Sequence, residues 1–288
     1  MSFSSNVKDE LLDVCGNARH CQLAELSAIV HFAGKKSNCG IGFDIPVENE
    51  YASQKCFTLL EKTFNINSFT DTVAKALKLS LGEEDKYEPG VVTDARLISN
   101  DCCRRAYLRG AFLSSGSLSD PNKGYHLEFV CEEDSQANQL VEIMSGYDIE
   151  AHSIQRKRYK IVYLKEGEAI VDVLNIMGAY TSLMNLENTR ILKEISNSIN
   201  RRVNCEAANI AKTVSAATKQ TEDIEYIKAY YGLRRLPDRL REIAEVRLEY
   251  PEATLKELGE LLEPPVGKSG VNHRLRKLSE LADSLRGN

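Results

Sequence analysis

Apolar positions recur at helical spacing in two stretches that end alike: LAELSAIVHFAG (23–34) and RAYLRGAFLSSG (105–116). Each carries small residues four apart, Ala24 and Ala28 in the first and Ala106, Gly110 and Ser114 in the second. Residues four apart share one helix face, so each stripe predicts close contact with another backbone. A glycine inside a helix costs ~1 kcal/mol against alanine, which gives Gly110 a packing reason to be there.

The closing glycines, Gly34 and Gly116, lie 82 positions apart, and similar offsets link the segments downstream of them. FDIPVENE (43–50) answers LEFVCEED (127–134), and INSFTDTVAKALKLSL (66–81) answers IEAHSIQRKRYKIVYL (149–164). Each unit is expected to run helix, strand (40–47 and 125–131), second helix, strand pair. The second helix at 49–64 has Ala52, Cys56, Leu59, Leu60 and Phe64 on one face. The strand pair is clearest in HSIQRKRYKIVYL, where Ile161 and Tyr163 alternate with polar neighbours as in a strand with one buried face. The expected fold class is α+β. Two αββαββ-type repeats (1–98 and 99–187) meet through their opening helices at a pseudo-twofold axis. A helical connector (188–232) and an all-α domain (233–288) come after them.

The connector is free of proline. Arg190, Lys193, Arg201, Arg202, Lys212 and Lys219 face only Glu194 and Glu206 before Thr221, and Asn197, Asn200, Asn204 and Asn209 add hydrogen-bonding groups. It either touches a polyanion or packs against the first domain.

The tail predicts a helix over 237–248, stopped by Pro251. Thr254 is then an N-cap, with Glu257 three positions on completing a capping box. LKELGELL is a short helix, EPPVGK breaks it, and Ser269 is expected to cap GVNHRLRKLSELADSL. Two short helices joined by a turn make a helix-turn-helix, whose second helix enters the DNA major groove. No acid occurs from Pro264 to Ser279, whereas Lys268, Arg274, Arg276 and Lys277 are basic. Thr254, Lys268 and Ser269 stand at helix starts, where backbone N–H groups attract phosphate. Asn272, His273 and Arg276 suit base edges, and Lys268 and Lys277 suit phosphates. A one-residue error in helix phase would exchange Arg276 and Arg274. Glu242, Glu245, Glu257 and Glu260 are expected to face away. The alternative is a basic, solvated helix in a protein-binding module.

Composition changes the picture little. The chain has 288 residues, 42% hydrophobic, with a net charge of −5, which by itself argues against a general nucleic-acid coat. No apolar run approaches the ~20 residues of a membrane helix, and the N-terminus lacks the basic start and apolar stretch of a signal peptide. None of the eight cysteines forms a CxxC pair, so reduced cytosolic thiols are expected. For the adjacent pair Cys102 and Cys103 a redox or metal site is the alternative, and buried structural thiols near a helix start are the favoured reading. No metal and no cofactor are expected.

Two such units meeting through paired helices resemble the LAGLIDADG homing-endonuclease fold. Nearly the whole chain resembles the WhiA family of sporulation-associated transcription regulators. The resemblance rests on CCRRAYLRGAFLSSGSLSDPNKGYHLEF (102–129), YLKEGEAI (163–170), NSINRRVNCEAANIAKTVSAA (197–217) and LPDRLREIAEVRLEYPEATLKELGELLEPPVGKSGVNHRLRKL (236–278). It implies a degenerate homing-endonuclease domain joined to a helix-turn-helix, with double-stranded DNA as partner and a regulatory protein such as a sigma factor as a candidate second partner. The implied setting is the cytoplasm, at the nucleoid, in sporulation, cell division or chromosome organisation.

In the endonuclease fold an acid before each closing glycine holds divalent metal. The matching positions here are Ala33 and Ser115, which supply no carboxylate. His31 nearby is expected to be structural. A non-catalytic DNA-binding protein is therefore expected. A nuclease using Glu25, Asp44 or Asp120 as ligands and a protein-interaction scaffold are the alternatives. The resemblance also implies a DNA saddle on the sheet, to which Arg156, Lys157, Arg158 and Lys160 would contribute. The first repeat offers only Lys75 and Lys78 there, beside Asp71, and a solvated hairpin tip is the other possibility.

Overall fold

The computed structural model describes residues 2–36, 43–46, 48–81, 87–88 and 92–287, and the chain divides into two compact units, 1–194 and 195–288. The first unit opens with α1 (Phe3–Asp13), α2 (Arg19–Ala33), β1 (Lys35–Lys36), β2 (Phe43–Asp44), α3 (Glu50–Phe64), α4 (Asp71–Ala76), β3 (Ser80–Leu81) and β4 (Tyr87–Glu88). It continues with α5 (Asp101–Ser115), β5 (Gly116–Leu118), β6 (Leu127–Cys131), α6 (Asp134–Ser145), β7 (His152–Arg156), β8 (Tyr159–Leu164) and α7 (Gly167–Met177). α8 (Tyr180–Tyr230) carries the unit boundary within it. A single 3-10 turn, α9 (Asp238–Glu249), α10 (Leu255–Glu260) and α11 (Lys268–Arg286) complete the chain.

The small-residue stripes lie where α2 and α5 pack together. Ala24, Ala28, Ala106 and Gly110 are all buried. A Cβ on Gly110 would stand 2.5 Å from the Glu25 carbonyl oxygen and 3.1 Å from the Ala28 Cβ. Charge is buried at the same level. The Arg109 guanidinium donates from Nε and Nη2 to the two Glu25 carboxylate oxygens, each at 3.0 Å, and from Nη1 to the Met177 carbonyl at 3.0 Å. Lys55 of α3 lies 3.4 Å from Glu25 and donates to the carbonyls of Leu11, Leu12 and Val14 at the end of α1. Burial lowers the Lys55 pKa, opposed by the Glu25 charge.

The second repeat is αββαββ: α5, β5, β6, α6, β7, β8. Its antiparallel sheet has the order β5-β6-β8-β7. Leu127 pairs with Leu164 and Phe129 with Val162, which places these four on the core face. The core-facing residues of β8 are thus Val162 and Leu164, one position out of phase with the alternation expected from Ile161 and Tyr163. Both faces of this strand carry apolar side chains, so alternation alone could not choose. Every side chain of β7, the last strand, is exposed.

The first repeat departs from its partner. Its first two blocks appear as α2, β1, β2 and α3, although part of the expected strand 40–47 lies outside the described residues. Segment 66–81, expected as a strand pair, instead forms α4, capped at Thr70, with Val73 and Ala74 buried against α3 and α2. Only the last two residues of the segment are strand: they form β3, which pairs antiparallel with β4 beyond it. Physically, Val73, Ala74 and Leu77 present apolar groups at helical spacing, and that period overrides the alignment with β7. Cys102 is exposed while Cys103 is buried, so the pair is not the buried couple expected.

Within the second unit, Ile243, Leu258, Leu262, Val271, Leu275 and Leu278 share one core with Ile224 and Ile227 of α8. No helix among the described residues is long and apolar enough to cross a membrane.

Gly110→Ala separates helix propensity from packing. Propensity alone would add ~1 kcal/mol of stability. Because the new Cβ meets the Glu25 carbonyl, a loss of ~1–3 kcal/mol is expected instead in urea unfolding. A gain would show that α2 and α5 are not in contact there.

Candidate nucleic-acid interface

The sequence reads two helices and a break at 255–286, and both helices form. Thr254 Oγ1 accepts from the Glu257 N–H at 3.3 Å and Glu257 Oε2 accepts from the Thr254 N–H at 2.7 Å, which is the expected capping box. This bond holds the Glu257 carboxyl below its usual range. Segment 261–267 joins the helices and is drawn in by the Val266 N–H, which donates to the Gly259 carbonyl at 2.9 Å. A Cβ on Gly259 would stand 2.0 Å from the Val266 carbonyl oxygen, so the approach requires glycine.

α11 starts earlier than expected. Its N-cap is Gly267, not Ser269, and the Gly270 and Val271 N–H groups donate to the Gly267 carbonyl at 2.8 and 3.1 Å. Gly267 caps through its extended backbone, without a side-chain bond. Ser269 therefore sits inside the first turn beside Lys268.

Burial of Val271, Leu275, Leu278 and Ala282 fixes the phase of α11. Lys268, Ser269, Asn272, His273, Arg276 and Lys277 are all exposed. Arg274 is not among them: its side chain is 18% exposed, against 68% for Arg276, and pairs with Glu242 of α9 at 3.5 Å. Glu242 also accepts from the Glu263 N–H at 2.9 Å, so this acid turns toward the motif rather than away from it. Arg276 pairs with Glu280 one turn on, at 3.2 Å.

Two cations that the sequence pattern of the tail does not mark join this end of α11. α8, α10 and α11 line a groove of about 500 Å³ in which Lys212 and Lys256 stand with Lys268, Thr254 and Asn272. Lys212 belongs to the cation run of the connector, but its meeting with Lys256 and Lys268 is a tertiary one that no local pattern reveals. Arg247 of α9 also borders this groove, but it is buried and structural. It donates to Gln220 Oε1 at 2.8 Å and to the Ala253 carbonyl at 2.7 Å.

In the first unit, Arg156, Lys157 and Arg158 are exposed around the β7–β8 turn, where Lys157 adopts φ 58°. Lys160 is set apart from them, paired with Asp134 at 3.3 Å. At the far ends of α2 and α5, Ala33 is half-buried and Ser115 Oγ donates to the Ala111 carbonyl at 3.1 Å. Lys8 and Asn49 donate to the Leu113 and Ser114 carbonyls at 3.3 and 2.7 Å. Burial brings the Lys8 ammonium down to about 8. Of the spare acids, Glu25 is locked by Arg109 and Lys55 in mid-helix, away from the motif end. Asp120 accepts from the N–H and the side chain of Asn122 in a turn, at 2.9 and 3.1 Å.

Two family models match this chain: the WhiA LAGLIDADG-like domain over residues 104–196 and the WhiA C-terminal HTH domain over 199–282. A relative from Lachnoclostridium phytofermentans, named probable cell division protein WhiA, is 48% identical, covering 99% of this chain and all of the relative. One of the same name from Alkaliphilus metalliredigens is 42% identical, covering 100% of this chain and 99% of the relative.

The chain belongs to the WhiA family.

A crystal structure of full-length DUF199/WhiA from Thermatoga maritima shares the fold, with a TM-score of 0.58 at 24% identity over 99% of both chains. The expected WhiA architecture is thus present, a LAGLIDADG-like region followed by a helix-turn-helix. The WhiA match across 104–196 covers the second repeat, whose sheet has four strands among the described residues.

The two kinds of arginine on α11 should separate in stability measurements. Arg274→Ala is expected to cost up to ~1 kcal/mol in urea unfolding, since its ion pair with Glu242 is only partly exposed. Arg276→Ala and Lys277→Ala should stay within ~0.5 kcal/mol of the parent. Equal losses for all three would show that α11 is not packed in this phase.

Proposed function

We propose that this WhiA-family chain is a non-catalytic regulator that binds double-stranded DNA through α11, in transcriptional control tied to cell division, sporulation or chromosome organisation. The observation that carries the proposal is the solvent face of α11. Lys268, Ser269, Asn272, His273, Arg276 and Lys277 stand exposed on one helix that comes after a capped short helix, and no acid interrupts positions 264–279. Lys268, at the helix start with Thr254, Lys212 and Lys256 beside it, anchors phosphate. Lys277 does the same further along. Asn272, His273 and Arg276 offer planar or paired groups to base edges. The relatives' name supports the link to cell division. DNA binding implies a cytoplasmic place at the nucleoid.

The exposed tip Arg156–Lys157–Arg158 is assigned a secondary role on phosphates, and Lys160 a smaller one because Asp134 neutralises it. Absence of catalysis is supported by Ala33 and Ser115 and by the Lys8 and Asn49 side chains that occupy the last carbonyls of α5. Supercoiled DNA incubated with the chain and magnesium or manganese is expected to remain unnicked. Metal-dependent nicking by pure protein, abolished in Asp120→Asn, would refute this.

Duplex binding measured at several salt concentrations tests the assignment of α11. Lys277→Ala is expected to weaken all sequences alike and to reduce the salt slope by about one. Arg276→Ala should cost ~1–3 kcal/mol on the preferred site and less on scrambled DNA. If neither Arg276→Ala nor Asn272→Ala changes the ratio of the two affinities, α11 holds the backbone only.

A further inference from the structure

The first turns of α2 and α5 bring four metal-ligating side chains together, two from each repeat. They are His20 and Cys21 on α2 and Cys102 and Cys103 on α5, and their ligand atoms all lie within 4.8 Å of one another. His20 Nδ1 is 3.1 Å from Cys103 Sγ, 3.4 Å from Cys21 Sγ and 3.9 Å from Cys102 Sγ. The pairs correspond across the pseudo-twofold axis: His20 and Cys102, and Cys21 and Cys103, are each separated by 82 positions, the same offset as Gly34 and Gly116.

We propose that this cluster is a tetrahedral Cys3His zinc site that staples the two repeats at the N-terminal ends of their central helices. A tetrahedral zinc ion with ordinary Zn–S and Zn–N bonds needs ligand atoms ~3.5–3.8 Å apart, the spacing the cluster already approaches. Three sulfurs and one imidazole select a soft, tetrahedral divalent ion and reject magnesium and calcium, which take oxygen. All four positions are filled by protein, which is the pattern of a structural ion. Cys21 and Cys103 are buried while His20 and Cys102 are exposed, so the ion has an entry path from solvent. Each of the three thiols releases its proton to solvent on binding. The site is ~20 Å, the length of the helices, from Ala33 and Ser115, so it is separate from the positions that hold metal in the nuclease fold.

The test uses the reduced full chain, with cobalt(II) as a spectroscopic stand-in for zinc. One cobalt per chain is expected, with thiolate-to-metal charge transfer in the near ultraviolet and the intense visible bands of tetrahedral coordination, both abolished by one equivalent of zinc. Zinc should raise the unfolding temperature of the parent. Cys102→Ser, at an exposed position that spares the packing, should weaken zinc binding at least about tenfold, reduce the charge-transfer intensity and shrink the thermal shift. Cys205→Ser, on exposed α8, should match the parent. The proposal is overturned if the fully reduced parent gives only weak octahedral cobalt bands, or if Cys102→Ser binds as tightly as Cys205→Ser. It is equally overturned if the chain is isolated two hydrogens lighter, with a cluster disulfide, and fails to take up metal after reduction.

Discussion

The first unit depends on a charged group placed where two helices touch. At Gly110 the backbone of α5 meets the Glu25 carbonyl, and the Glu25 side chain is buried at the same level. A lone buried carboxylate would be untenable, and Arg109 and Lys55 make it acceptable by supplying two cations with fixed hydrogen bonds. Those cations reach further. Arg109 ties α5 to the end of α7, and Lys55 satisfies the last carbonyls of α1. From α1, Glu10 in turn accepts from the first N–H groups of α8 at 2.7 and 2.9 Å. One polar knot thus joins α2, α5, α3, α7 and the end of α1.

Much of this is legible in the chain. The small-residue stripes announce the helix pair because close approach needs a recurring absence of side chain, which sequence displays directly. The capping box at Thr254 and Glu257 is legible for a similar reason, being a short-range rule. The first-repeat strand pair is misplaced because repeats align by ancestry while local segments fold by periodicity, and Val73, Ala74 and Leu77 obey the helical period. The start of α11 escapes sequence reading because Gly267 caps through its backbone, leaving no side chain to read. The convergence of His20, Cys21, Cys102 and Cys103 is hidden by sequence distance, although the repeat offset holds the information.

Net charge is a poor guide to this molecule because its cations have different employments. Arg109, Arg247 and Arg274 are bound to neighbours and shape the fold; Arg286 pairs with the buried Asp223 at 2.7 Å and ties the end of α11 to α8. Lys268, Lys277 and Arg276 are left on the surface. The distinction rests on which acids and carbonyls lie opposite, a property of tertiary structure that composition averages away. It is also why Glu242 matters more than its helix suggests: it pairs with Arg274, the arginine that the apolar phase of α11 turns inward.

The β7–β8 turn has a second consequence. β7 is the last strand of its sheet, and its outer N–H and C=O groups have no neighbouring strand among the described residues. Ile154 is exposed on it. An edge of this kind invites pairing with another chain, and lysines and arginines are a common deterrent. Arg156, Lys157 and Arg158 gather like charge at its end, so two such edges approaching each other would repel. Neutralising all three would expose a short, uncharged strand bearing isoleucine, and self-association through strand pairing would then be an outcome separate from any change in affinity for DNA.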